Sequence, residues 1–477
     1  MPLKNSGADF DTMIVIESSL GKNEYDIHSL TKAFYPSEDV KIVEIERQDD
    51  PCLIYHMDNE SPVFKVPEND RDELKRLIYR ALSKRTGINL PWGALTGIRP
   101  VKMAMERLMR GMKDDAVIAD MKEKYYISDK KAQLCVDIAN RERSIVSGLY
   151  PDGYSLYIDI PFCPTTCLYC SFTSNRIGKD RTVVKDYLKA LFKEIEGAGR
   201  LFVDRRLETV YIGGGTPTTL TSDELNELLG CISANFDMAN IKEYSLEAGR
   251  PDTISRDRLR VMKRYGITRI SVNPQTMNEN TLKVIGRLHS PADVRRAFFM
   301  ARDEGFDNIN MDMILGLPTE TVNEVRITMD ELYKLQPDNL TVHSLALKRA
   351  SAMGDWIEKN GTGIAGDTGE MMDEAVKGAL KMDMKPYYLY RQKNMSGNLE
   401  NTGFARDMKY GVYNILINEE VQDILALGAG AISKRVYANG DCKRSANFKL
   451  VDQYIAGIDK MIERKRELFL RSEVPEA

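Results

Sequence analysis

From Tyr154 onward, short apolar runs alternate with longer amphipathic ones. The short runs are YSLYIDI, ETVYIGG, EYSLEAG, TRISVNP, NINMDMILG and NLTVHSLA. Between them stand VVKDYLKALFKEIEGAGRLF, TSDELNELLGCISANF, SRDRLRVMKRYG and TVNEVRITMDELYKL, whose apolar residues recur at helical spacing. A strand lying parallel to its predecessor needs a crossover of a dozen or more residues, and a helix supplies it. Six such units predict an α/β fold. A partial (β/α)6 barrel suits them better than an open doubly wound sheet, although periodicity alone does not separate the two. In a barrel, functional groups gather where strands end and loops begin.

The flanks read differently. Residues 1–150 mix strand-like TMIVIES and VKIVEIE with helices at NDRDELKRLIYRALSKRTG, IRPVKMAMERLMRGM and SDKKAQLCVDIANRERSIVSG, predicting an N-terminal α+β domain without evident chemistry. The barrel is expected over 151–347. Residues 348–477 form an irregular C-terminal extension with the aromatic and basic PYYLYRQKNMSGN, the glycine/alanine-rich LALGAGAIS and a closing polar helix. Lysine plus arginine number 67 against 71 acidic residues, so the net charge of −4 does not suggest a nucleic-acid binder. No run of about 18 apolar residues predicts a membrane span. MPLKNSGADFD lacks the apolar core of a secretory signal, which makes the cytoplasm the expected compartment.

PFCPTTCLYC crowds Cys163, Cys167 and Cys170 into eight positions, while Cys52, Cys135, Cys231 and Cys442 are scattered. The scattered four read as small buried groups. For the trio, a disulfide leaves one thiol over and is disfavoured in a reducing compartment. Structural zinc takes four ligands, and His289 or His343 has to be recruited from far along the chain. A 4Fe–4S cluster held by three thiolates leaves one iron open to a ligand. After the second strand, GGGTPT lets backbone approach a ligand closely, or simply makes a tight turn.

The C-x3-C-x2-C spacing resembles the signature of the radical S-adenosylmethionine (SAM) superfamily. That resemblance implies a partial (β/α) barrel and a 4Fe–4S cluster whose open iron is chelated by SAM. It also implies one-electron cleavage of SAM to a 5′-deoxyadenosyl radical. YIDIPFCPTTCLYCSF, GGGTPT, SLEAGRPDTI, RISVNPQTMNENTLKVIGRLH and NINMDMILGLP follow one another as in the oxygen-independent coproporphyrinogen III oxidase family, from about Tyr154 to Val436. Carried over by motif, Cys163, Cys167 and Cys170 hold the cluster, with Tyr157 and Tyr169 flanking it and SAM. Gly214, Gly215 and Thr216 accept SAM's ammonium, and Glu247 accepts both ribose hydroxyls, as a carboxylate can. Gln275, Arg287 and Asp312 complete the pocket, Arg287 offering charge to SAM's carboxylate. Ala346 and Ile432 fall where the family lines the adenine side.

The branch shows in the departures. Phe172 stands where the dehydrogenase branch has a further cysteine, and Asp159 where the family commonly has histidine. ARDMKYGVYN lacks the histidine of the haem-chaperone branch. The long N-terminal domain with LPWGALTGIRPVKMAMERL looks most like the HemZ branch. The implied reaction is oxidative decarboxylation of coproporphyrinogen III to protoporphyrinogen IX, with flavodoxin or ferredoxin as reductant. The other implied readings are a haem chaperone and an enzyme acting on another tetrapyrrole. Arg391, Lys393, Lys348 and Arg349 are candidate anchors for the substrate's carboxylates, and equally read as a solvated face.

Overall fold

In a computed structural model, the six apolar runs become six parallel strands laid side by side in chain order. The structure describes residues 13–36, 38–46, 51–57, 60–66, 70–97, 99–172, 174–178, 180–348, 350–360, 367–392 and 395–470. The chain divides into two compact units: Met1–Val136 with Arg391–Glu400, and Asp137–Tyr390 with Asn401–Ala477.

In the first unit, β1 (Met13–Ser18), β2 (Asp39–Glu44), β3 (Cys52–His56) and β4 (Val63–Lys65) make a sheet of order β2-β1-β3-β4. The sequence shows the first two strands and leaves β3 and β4 unread, along with helices Glu24–Phe34 and Asp114–Tyr125. Helix Arg71–Thr86 begins where Asp70 accepts from the Glu73 N–H and stops at Gly87, whose φ of 72° turns the chain left-handed. Its Leu74 and Ile78 pack with Ile14, Ile16, Leu53 and Tyr55 in one core. The segment 391–400 joins this unit through buried polar contacts. Trp92 Nε1 donates to Glu400 Oε2 (2.8 Å), and Arg391 Nη1 donates to the Leu95 carbonyl (2.6 Å) with its guanidinium over the Trp92 ring. Arg391 is only 6 % exposed, and burial lowers its pKa to about 10. Its guanidinium is turned onto Leu95, Asn398 and Trp92, so it is not the solvated-face residue that the sequence also allowed. Lys393 and Arg349 lie outside the described residues.

In the second unit, β5 (Gly153–Ile160) is followed by the short β6 (Phe162–Cys163) and β7 (Asn175–Arg176). Next come β8 (Arg206–Gly214), β9 (Glu243–Glu247), β10 (Arg269–Ser271), β11 (Ile309–Leu315) and β12 (Asn339–Ser344). β13 (Lys385–Tyr390), β14 (Asn401–Ala405), β15 (Asp423–Leu427), β16 (Ile432–Val436) and β17 (Cys442–Ala446) complete the strands. The large sheet runs β13-β14-β12-β11-β10-β9-β8-β5-β15-β16-β17. β5 to β12 in this order are parallel, and β15 adds a seventh parallel strand beside β5. This is the α/β arrangement of parallel strands expected of a partial barrel, with antiparallel strands extending both edges. Helices such as Thr182–Gly199, Ser222–Asn235, Pro291–Asp303 and Val322–Leu335 bury apolar faces, as crossovers between parallel strands do. Three of them begin with capping boxes, at Thr221, Ser290 and Thr321. Among the described residues no helix is long and apolar enough to cross a membrane.

Candidate active site

The cysteine loop leaves the end of β5 and is pinned at both ends. β6 pairs with β7 in parallel, Asn175 N donates to the Pro161 carbonyl (2.7 Å), and Ile177 N donates to that of Cys163 (3.0 Å). In its middle, Leu168 N donates to the Ile285 carbonyl (3.0 Å) and Thr165 Oγ1 to that of Gly286 (3.2 Å). Cys167 is buried, Cys163 and Cys170 are half-buried, and all three are free thiols. Burial raises the pKa of Cys163 and Cys170, so the thiolates need a positive partner to form.

β8 ends on the glycines. Gly214 adopts φ +105°, and a Cβ there would lie 2.7 Å from Asp159 Oδ2; one on Gly215 would lie 2.6 Å from the Phe162 carbonyl. These positions need glycine because the β5 end passes directly behind them. Gly215 N and Thr216 N donate to the carbonyls of Ile160 (2.9 Å) and Phe162 (2.7 Å), tying this turn to the cysteine loop. Thr216 Oγ1 stands 3.5 Å from Cys163 Sγ.

Polar groups then line the neighbouring strand ends. Tyr157 donates to Asp159 Oδ2 (3.1 Å), and Tyr211 donates to Glu247 Oε1 (2.5 Å). Burial pushes Asp159 and Glu247 each up to about 7, and a neighbouring carboxylate adds to each rise: Glu247 acts on Asp159, and Asp312 on Glu247. Asp312 accepts from Asn273 Nδ2 and Asn310 Nδ2, both at 2.7 Å, and His343 Nε2 lies 3.9 Å away. Burial raises Asp312, but its interactions with His343, Asn310 and Thr341 outweigh it and hold the carboxyl below its ordinary range. Gln275 holds a left-handed φ of 65° because its N–H donates to the Asp312 carbonyl (2.9 Å) and its carbonyl accepts from Ile314 N (2.9 Å). Arg287 is buried; it donates to the Asn273 carbonyl (2.9 Å) and to the Tyr169 hydroxyl (3.0 Å).

These contacts link Tyr157, Tyr169, Gly214, Gly215, Thr216, Glu247, Gln275, Arg287 and Asp312 at the strand ends beside the three cysteines. Ala346 follows Leu345, which packs with Leu168 and Tyr169, and Ile432 opens β16 at 45 % exposure after Ala431. Of the remaining candidate anchors, Lys348 is exposed and lies 5.9 Å from the centre of the Phe172 ring.

Several residues of this site go unassigned in the sequence. Tyr413 stacks on Tyr211 (4.6 Å) and on Tyr157 (6.2 Å) from a helix, Val412–Glu419, that nothing local ties to β5 and β8. Asn273, Asn310 and His343 surround Asp312. Two carry a signal in alternation, Asn310 two residues before Asp312 on β11 and His343 two residues after Thr341 on β12, whereas Asn273 follows the end of β10.

A fit to a 4Fe–4S cluster and SAM can be tested on these atoms. Three thiols come from one loop, and among the described residues no three His, Cys, Asp or Glu side chains converge tightly enough to hold a single ion. A cluster spreads its ligands over several irons, and Cys thiolates are its donors. Gln275 Oε1 and Asn273 Oδ1 are buried acceptors without a partner in the protein, beside Asp312. A ligand rich in N–H and O–H donors satisfies them. The residues fit both groups.

Comparison with known proteins agrees. The radical SAM superfamily model matches residues 157–332. The oxygen-independent coproporphyrinogen-III oxidase-like protein HemZ of Bacillus subtilis is 42% identical over 380 residues, 79% of this chain and 75% of that one. The heme chaperone HemW of Bacillus subtilis is 33% identical over 206 residues, 43% of this chain and 54% of its own. The solved structure of coproporphyrinogen III oxidase HemN from Escherichia coli, a radical SAM enzyme, superposes with a TM-score of 0.56 at 25% identity, covering 67% of this chain and 72% of that one. With its strand order, its cysteine loop and these relatives, the chain belongs to the radical SAM superfamily and, within it, to the oxygen-independent coproporphyrinogen III oxidase family on its HemZ side, whose cofactors are a 4Fe–4S cluster and SAM.

Proposed function

We propose that this chain carries out the oxygen-independent oxidative decarboxylation of two propionates of coproporphyrinogen III, giving protoporphyrinogen IX. The observation that carries the reading is the convergence, on one set of strand ends, of the cysteine loop, the Gly214–Thr216 turn and the Glu247–Asp312 group. The 42% identity to a coproporphyrinogen-III oxidase-like protein supports it.

Cys163, Cys167 and Cys170 would hold the cluster, which together with bound SAM would supply hydrogen-atom abstraction chemistry toward a propionate β-carbon. Gly214, Gly215 and Thr216 present backbone to SAM's ammonium, and Glu247 takes the ribose hydroxyls on the oxygen that Tyr211 leaves free. Gln275 and Asp312 accept further donors, Arg287 faces the carboxylate, and Tyr157 and Tyr169 wall the pocket. Ala346 and Ile432 border the adenine. Each propionate that has given up its hydrogen atom would then lose CO2 and pass one electron to a one-electron acceptor, leaving a vinyl group. The electron that starts each turnover comes from flavodoxin or ferredoxin, in the cytoplasm.

Anaerobic turnover of the reconstituted protein with SAM, a reductant and coproporphyrinogen III tests this. Protoporphyrinogen IX formed with 5′-deoxyadenosine supports the reading. SAM cleavage with the porphyrinogen untouched rejects it and leaves another tetrapyrrole as substrate. Tight haem binding without SAM-dependent product favours a chaperone, the function named for the HemW relative; the segment 405–414 lacks that branch's histidine.

A further inference from the structure

Arg250 follows β9 and is 3 % exposed. Its Nε and Nη2 make a two-pronged contact with Asp252, at 3.1 and 2.9 Å. The opposite corner of the guanidinium, Nη1, donates to Thr165 Oγ1 (2.7 Å) and approaches Cys167 Sγ at 3.9 Å. A buried guanidinium, held at Nη1 by Thr165 and flanked by a carboxylate on its far side, thus faces the most buried of the three cysteine sulfurs. Arg287, also buried, bears on the same sulfur from another element, whereas Cys163 meets the Thr216 and Ser174 hydroxyls and Cys170 the Phe172 N–H.

Three thiolates outweigh the charge of an oxidised 4Fe–4S core, so the centre is mononegative when oxidised and dinegative after accepting one electron. A fixed positive charge and an N–H donor on a ligand sulfur stabilise the dinegative state more. We propose that Arg250, whose Nη1 is held on this side by Thr165, is a positioning residue that raises the reduction potential of the cluster by keeping its guanidinium on the Cys167 sulfur. Asp252 works in the opposite sense, since its carboxylate offsets part of the guanidinium charge. This rests on the cluster alone and is independent of the tetrapyrrole reading.

The test uses the full chain, loaded with cluster and without SAM, titrated anaerobically with dithionite in the presence of redox mediators. The paramagnetic-resonance signal of the reduced cluster reports its midpoint potential. Arg250→Gln shifts the potential to a more negative value, and Asp252→Asn shifts it to a more positive one. A purely structural role lowers iron content in both variants without producing shifts of opposite sign. Wild-type potentials in both iron-loaded variants, or shifts in one direction, overturn the proposal. If Arg250→Gln fails to retain iron, Asp252→Asn decides alone: an unmoved or more negative potential overturns it.

Discussion

Asp159 and Glu247 hold protons that an unfolded chain has already released. Their ordinary pKa values of 3.8 and 4.5 rise to about 7 in the fold, chiefly through burial. The folded state therefore binds more protons between about pH 4 and 7, and unfolding becomes easier as pH rises across that window. The stabilisation is complete below the unfolded values and lost above about 7. Thermal unfolding of the cluster-free protein should accordingly show a melting temperature that falls from pH 5 to pH 8. Asp159→Asn should flatten that fall; an unchanged slope would contradict the account. At Gly214 the backbone is the constraint. Gly214→Ala forces a side chain into a φ of +105° and against the Asp159 carboxylate, a strain of about 1–3 kcal/mol. Equilibrium dialysis should show SAM binding weakened by up to about 150-fold where that strain falls on the bound state, since each 1.4 kcal/mol is tenfold, with the circular dichroism of the fold retained.

Six of the seven parallel strands are legible in the sequence because each alternates. In β5, Tyr154, Leu156, Ile158 and Ile160 alternate with Ser155, Tyr157 and Asp159, and Ser155 meets Thr209 and Gln422 on the polar face. β15 offers no such pattern: every residue of DILAL is buried, and the following glycines look like a loop. Its pairing with β5 on one side and β16 on the other makes it a strand. The closing helix Ile458–Leu470 misleads in another way. Lys465 reads as solvated, yet its Nζ is buried against Glu194 Oε1 (2.6 Å) and Asn447 Oδ1 (2.8 Å), with Tyr454 and the Gly428 N–H on the other Glu194 oxygen. A charge without its partner is costly inside a protein. Lys465→Met should therefore lose about 3–5 kcal/mol in urea denaturation, whereas Lys460, at an exposed position of the same helix, should tolerate methionine.

Over the whole molecule, the unit formed by residues 1–136 is completed by ten residues from beyond β13. Cutting the chain at 136 does not release a finished domain. It removes from Arg391 the Leu95 carbonyl and the Trp92 ring that cover it. Limited trypsin digestion with mass spectrometry should find cleavage after Arg391 in a chain beginning at residue 137 and protection at the same bond in the full chain. Equal rates in both would show that these contacts do not order the segment. The sequence pattern is silent here because Trp92 and Glu400 are 308 positions apart, and hydrophobic periodicity reports only neighbours along one element.

That separation also sets an order of events during synthesis. The ribosome emits the first 136 residues long before Glu400, so the Trp92 indole and the Lys131 ammonium wait for their shared carboxylate until most of the protein has been translated. The amino-terminal portion is born early and matures late, and its nascent form offers a partly open surface to chaperones throughout elongation.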